Sequence, residues 1–176
     1  DLSPLDTDLH LRVAGLVRTL VRDGLVGGVH DISSGGVGVA IAEMVSRSGV
    51  GAHLARIADH RDLFGEGPSR VIVAVDPECL AEVFAAAKDY EVPTSRIGLA
   101  TGDRLIIKNL LDISIADIRF AFEGRLPEAL GSGTTNRRLG RSLSGIGADR
   151  LVQITTLRAR RVVSLVSMHR GNLSPT

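Results

Sequence analysis

The sequence predicts an α/β domain: a mixed β-sheet with helices packed on it, followed by a weakly structured basic tail. Three observations lead there. A short apolar run over residues 25–29 enters the polar turn His30-Asp31-Ile32-Ser33-Ser34-Gly35-Gly36, and a small-residue helical pattern starts at once (Val37-Gly38-Val39-Ala40-Ile41-Ala42-Glu43-Met44). Val71-Ile72-Val73-Ala74-Val75 is a continuous apolar run rich in β-branched residues, typical of a strand covered on both faces. Charge also breaks near Gly131: residues 131–176 hold eight arginines and one acid, a net +7, whereas the first 130 residues carry 13 basic and 19 acidic side chains, a net −6. A break of that size marks a boundary. Residues 1–130 read as an acidic folded domain, and 131–176 as a basic tail expected to be disordered or poorly packed.

Asp6-Thr7-Asp8 offers a helix N-cap, and Leu9, Val13, Leu16, Val17 and Leu20 repeat at helical spacing until Gly24, which predicts a helix over 6–23. A strand over 25–31, the Ser-Gly-Gly bend, a helix over 36–47 ending before Gly49, and a short strand within 50–57 follow. Residues 59–69, with no apolar period and with Gly and Pro, read as a loop. After the strand at 71–75, Asp76 as N-cap and Pro77 at the first helical position predict a helix to about Asp89. Strands near 95–101 and 104–109 are expected to pair as a hairpin around Thr101-Gly102-Asp103-Arg104. Ser114 caps a last helix over 114–123, ended by Gly124. The stretch Gly-Ser-Gly-Thr-Thr-Asn-Arg-Arg after Leu130 reads as linker, and residues 151–168 fit neither helical nor strand period cleanly.

Composition excludes several function classes. A length of 176 residues suits one sizeable domain. Aromatic content of 3% with no Trp argues against base-stacking recognition of single-stranded nucleic acid. A lone cysteine, Cys79, leaves no internal disulfide and no multi-cysteine zinc site. No run approaches the roughly 18 apolar residues of a membrane span, and no signal peptide opens the chain, so a cytoplasmic protein without a membrane partner is expected. The arginine tail could touch an acidic surface, but nucleic acid is not the expected partner. His10, His53, His60 and His169 stand at no metal spacing, and no metal site is predicted.

Two constellations could carry chemistry. The strand–bend–helix arrangement at 30–36 can present backbone N–H groups and a helix N-terminus to an anion, with Gly35 and Gly36 permitting positive φ and close ligand approach. His30 and Asp31 leave a strand on opposite faces, so at most one faces the bend. Ser33 and Ser34 serve equally well as helix caps. The second constellation is Leu63-Phe64-Gly65-Glu66-Gly67-Pro68-Ser69-Arg70, an exposed loop with one carboxylate, one hydroxyl and one guanidinium beside a buried strand. Arg70 could hold a phosphate bidentately and Glu66 a metal or a ribose hydroxyl. An internal Glu66–Arg70 pair that merely fastens the loop explains the same residues. The candidate nucleotide- or phosphate-binding set is therefore His30, Asp31, Ser33, Ser34, Gly35, Gly36, Glu66, Ser69 and Arg70, with no catalytic residue assigned.

Together, His30-Asp31-x-Ser33-x-Gly35-Gly36-x-x-x-Ala40-x-x-Glu43-Met44 and Leu63-Phe64-Gly65-Glu66-x-Pro68-Ser69-Arg70-Val71 resemble the C-terminal domain of the aminoimidazole ribonucleotide (AIR) synthetase superfamily. Within it they are most similar to the phosphoribosylformylglycinamidine synthase family of purine biosynthesis. The resemblance runs from about residue 4 to Arg125-Leu126-Pro127. It implies an ATP-dependent ligase that activates the amide oxygen of formylglycinamide ribonucleotide, so that ammonia from glutamine displaces phosphate and gives formylglycinamidine ribonucleotide. It implies ATP and Mg²⁺ as cofactors, bound mainly by an N-terminal-type domain that this sequence lacks, so the chain alone is expected to be inactive. The implied partners are that ATP-binding domain, a glutaminase and a small accessory subunit. The family has Asp or Glu where this chain has Ser34, and the segment after Gly131 has no counterpart. A structural pseudo-dimer module is the alternative, as is another superfamily member: AIR synthetase, selenophosphate synthetase, thiamine monophosphate kinase or the hydrogenase maturation dehydratase.

Overall fold

A computed structural model describes residues 5–124 and 163–168. Helix α1 (Thr7–Arg22) starts where Asp6 accepts a hydrogen bond from the Leu9 amide, and buries Leu9, Val13, Leu16 and Leu20 along one face. It ends at Gly24, whose φ of +70° closes the helix. Leu25 then folds back to donate its amide to the Leu20 carbonyl (3.0 Å). That bond uses the first residues of the expected 25–31 strand for the helix terminus, so β1 is the shorter Gly28–Asp31. Helix α2 (Gly36–Ser48) follows and stops at Gly49, with φ +70°.

Beyond α2 come β2 (Ala52–Leu54), α3 (His60–Phe64) and β3 (Val71–Val75). Helix α3 corrects the expected 59–69 loop. Asp59 accepts from the amides of Arg61 and Asp62, and Leu63 is buried, so one helical turn forms before glycine and proline begin. The helix expected from Asp76 begins as a 3₁₀ turn, Pro77–Cys79, and becomes α-helical only in α4 (Leu80–Asp89). Asp76 has the extended backbone of a cap but makes no side-chain cap bond.

The remaining elements are β4 (Thr94–Ala100), β5 (Arg104–Ile107), β6 (Leu111–Ser114), α5 (Ile115–Arg119), a π-helical turn (Phe120–Gly124) and β7 (Val163–Met168). One mixed sheet runs β1-β3-β7-β4-β2-β5-β6, antiparallel throughout except for the parallel β2–β5 pair. The expected β4–β5 hairpin is absent because β2 lies between those strands. Gly51 explains the insertion: it exchanges backbone hydrogen bonds with Thr101 and Gly102 (2.8 and 2.7 Å), and a Cβ there would sit 2.3 Å from the Arg104 carbonyl oxygen. The hairpin actually formed is β5–β6, turned through Asn109 at φ +63°.

Helices α2, α3 and α5 cover one face of the sheet, over Ile41, Val45, Leu54, Leu63, Ile72, Leu105, Ile107, Ile118 and Leu165. Helices α1 and α4 cover the other, over Leu16, Leu20, Val73, Val75, Val83, Val166 and Met168. Strand β7 corrects the expectation for part of the tail. It pairs with β3 over Val71–Val75 and with β4 over Thr94–Ala100, and Leu165, Val166 and Met168 are buried. The rest of 125–176, including the expected linker and all eight arginines of the basic tail, lies outside the described residues.

Candidate functional site

At the C-terminal end of β1 the chain makes a tight turn, with the Gly36 amide donating to the Ser33 carbonyl at 3.0 Å. Gly35 adopts φ +82°, ψ 8°, the geometry of the third residue of a type II turn, which favours glycine. Gly36 is left-handed too, at φ +63°, and the last residues of α3 pack directly on it. A Cβ on Gly36 would lie 2.7 Å from both the Leu63 carbonyl oxygen and the Phe64 carbonyl carbon. The two sequence motifs therefore meet backbone against backbone.

The loop also fills the electropositive end of α2. Glu66 accepts a 2.8 Å hydrogen bond from the Gly35 amide, so the chain's own carboxylate sits where an anion was expected. Arg70 does not pair with Glu66. Its Nη1 donates to the Gly65 carbonyl at 2.7 Å, which departs from the expected internal ion pair. Burial pushes the Arg70 guanidinium below its ordinary value, and the Asp62 carboxylate partly opposes that.

A groove of about 840 Å³ opens beside these loops. It brings together Asp31, Ser33, Ser34, Glu66, Ser69 and Arg70 of the candidate set, and Gly35 and Gly36 do not line it. His30 is not in it. Its ring turns to the opposite side of β1, where Nδ1 donates to the Asp31 carbonyl (2.7 Å) and Nε2 meets Glu43 on α2 (3.1 Å), itself within 3.4 Å of Arg47. His30 thus braces strand to helix beside a separate 290 Å³ cavity lined largely by Gly28, Ile41, Met44, Ala74 and Leu165. Alternation along the strand sends the two side chains off opposite faces, yet His30 Nδ1 stays 3.7 Å from the Asp31 carboxylate. A second, smaller opening is lined by His30, Asp31, Ser33, Glu43 and Arg47.

Two groove residues with ionisable side chains lie outside the candidate set. His10 and Arg18 project from α1, and the His10 Nδ1 lies 3.1 Å from the Ser69 hydroxyl. Ser69 itself is held at φ +61°, a conformation that costs a non-glycine residue energy. The available signal was the 10–14–18 spacing, which sets His10, Ala14 and Arg18 along one flank of the apolar stripe. Among the described residues, no group of three His, Cys, Asp or Glu side chains converges as a metal site, and no helix is long and apolar enough to cross a membrane.

The fold and groove define a class: mixed-sheet α/β domains in which a Gly-Gly helix entry is clasped by a Phe-Gly-Glu-x-Pro-Ser-Arg loop. Residues 5–108 match the family described as AIR synthase related protein, C-terminal domain. The chain belongs to that family. It is 45% identical over 128 residues to the phosphoribosylformylglycinamidine synthase subunit PurL of Methylocella silvestris, covering 71% of this chain and 17% of that protein. PurL of Bartonella bacilliformis is 33% identical over 133 residues, covering 74% and 18%, and PurL of Brucella ovis is 38% identical over 125 residues, covering 70% and 17%. Among solved structures, T. maritima PurL complexed with FGAR shares the fold at a TM-score of 0.56 and 18% identity, over 62% of this chain and 20% of that one. The chain thus spans about a sixth of the length of the curated relatives it matches.

Proposed function

We propose that this chain is the C-terminal-domain part of an ATP-dependent phosphoribosylformylglycinamidine synthase, which converts formylglycinamide ribonucleotide and glutamine-derived ammonia to formylglycinamidine ribonucleotide. Its own role is to form one wall of a nucleotide or phosphate site. The observation that carries this reading is the groove, which gathers Asp31, Ser33, Ser34, Glu66, Ser69 and Arg70 from the two motifs that mark the family. The half-buried Arg70 has donors left over after its bond to Gly65, and a guanidinium suits a phosphate oxygen pair. The hydroxyls and Asp31 suit sugar hydroxyls.

These residues fit the phosphate-bearing part of ATP or of the substrate. Among the described residues no group of three metal-ligating side chains converges, and in this reading magnesium is held mainly by an N-terminal-type domain, without which the chain is inactive. A glutaminase and a small accessory subunit complete the assembly. Isothermal titration of the chain with ATP and with formylglycinamide ribonucleotide tests this. Binding that weakens about tenfold in Arg70→Ala supports it, and no binding of either ligand sinks it.

One observation favours a second reading, a structural module in which the bend is simply a tight helix entry. The Gly35 amide is already satisfied by Glu66, and Gly36 is filled against Leu63 and Phe64. In that case Arg70→Ala changes stability and no ligand affinity exists to lose.

A further inference from the structure

We propose that helix α1 is the second, ligand-selecting wall of the groove, with Arg18 taking the phosphate of a phosphorylated sugar and His10 placing the 65–70 loop against it. The inference rests on the phosphate-site reading above and names residues that neither family motif contains. The first observation is an uncommitted charge. Arg18 lines the groove, yet among the described residues its guanidinium has no hydrogen-bond or ion-pair partner. Every other charged group in the groove is engaged: Arg70 with Gly65, Glu66 with Gly35, His10 with Ser69, and Asp31 at 3.7 Å from His30.

Position is the second observation. Val17, beside Arg18, also lines the smaller opening around Asp31 and Ser33, whereas His10 lies against Ser69. Arg18 and His10 thus line the groove from two points along α1, with Ser69 at the His10 end. His10 and Arg18 stand eight positions apart on the helix, about 12 Å along the axis, with Val13, Ala14 and Val17 lining the groove between them. A phosphorylated ribose spans that depression, its phosphate on a guanidinium and its hydroxyls on Asp31 and the serines.

Strain supplies the third. Ser69 is one of three non-glycine residues at positive φ among those described, and it immediately precedes Arg70. The His10–Ser69 hydrogen bond ties that strained residue to α1, so His10 acts as a positioning residue for the loop that carries Arg70.

The test titrates the full chain with ribose 5-phosphate, with ribose and with inorganic phosphate, in wild type and in Arg18→Ala, Arg18→Lys, His10→Ala and Arg70→Ala. Ribose 5-phosphate is expected to bind more tightly than either ribose or phosphate. Arg18→Ala should weaken it about tenfold while ribose binding is unchanged, with partial recovery in Arg18→Lys. His10→Ala should weaken it less, and because both side chains are exposed the melting temperatures should match wild type. Wild-type affinity in both Arg18→Ala and His10→Ala, together with loss in Arg70→Ala, overturns the α1 wall and leaves the groove reading standing. No binding of any probe to wild type overturns both.

Discussion

Gly36 is the position where helix entry and loop are forced into one arrangement, and replacing it with alanine isolates how much that arrangement is worth. Two costs act there. The backbone sits at φ +63°, which disfavours an L-residue by about 1–2 kcal/mol. In addition, the new Cβ would lie 2.7 Å from backbone atoms of Leu63 and Phe64. Ordinary contact begins near 3.4 Å, so the end of α3 must retreat by 0.7 Å (3.4 less 2.7). Because the obstructing atoms are backbone, no rotamer change relieves them, and overpacking of this kind costs about 1–3 kcal/mol. The sum is about 2–5 kcal/mol, or roughly 4–20 °C in melting temperature for a chain of this size. Gly24 is an internal control, since it has φ +70° but nothing within 4 Å of a Cβ. Gly24→Ala should show only the conformational cost, about 1–2 kcal/mol. Urea unfolding followed by circular dichroism measures both. If Gly36→Ala is no less stable than Gly24→Ala, the backbone clasp between the two motifs is wrong.

Other perturbations probe separate parts of the molecule. Leu165→Ala in β7 should cost about 2–5 kcal/mol in urea unfolding, because Leu165 is buried on the α2 face of the sheet; a change below about 0.5 kcal/mol, the range of ordinary surface substitutions, would remove β7 from the core. Asp59 is held below the usual carboxylate range by the amides of Asp62 and Arg61. A depressed folded value means its stabilisation is present above the unfolded value near 4 and lost as pH falls through the folded one. Melting curves from pH 5 to pH 2 should therefore fall more steeply for wild type than for Asp59→Asn, and identical slopes would exclude Asp59 as the cap of α3. Glu66→Gln keeps an acceptor for the Gly35 amide but removes a negative charge from the groove, so inorganic phosphate should bind a few-fold more tightly by titration calorimetry; weaker binding would show that the carboxylate helps to hold the ligand.

Much of this architecture was legible in the sequence, for identifiable reasons. Helices α1 and α2 are long, periodic and ended by left-handed glycines, and β3 is a continuous apolar run; local signals of that kind dominate where packing agrees with them. The pairing of β4 with β5 was misread because a Thr-Gly-Asp-Arg turn looks the same whether its strands meet directly or admit a third. Only the need for a glycine at residue 51 hinted at the intruding strand. Strand β7 was hidden because it follows the arginines at 158, 160 and 161 and, with residues 164–168 all buried between two strands, shows no apolar–polar alternation to read. In the groove, residues adjacent in sequence were readable as a set, whereas His10 and Arg18 join it only through the packing of α1. His30 was placed in the set by its neighbourhood in sequence, and strand alternation turns its ring away from the main groove.

The placement of β7 sets an order of events for a chain emerging from a ribosome. The β1–β3 ribbon and the β4-β2-β5-β6 ribbon are complete within residues 28–114, yet among the described residues they join in the sheet only through 163–168. Until those residues are synthesised, two unpaired edges face each other across a slot about 9–10 Å wide, twice the normal strand spacing. Such edges are templates for any extended segment, and closing the slot is a long-range event that slows folding. A second nascent chain offering its own strand would fit the same slot, so exchange of β7 between neighbouring copies is the misassembly this topology invites.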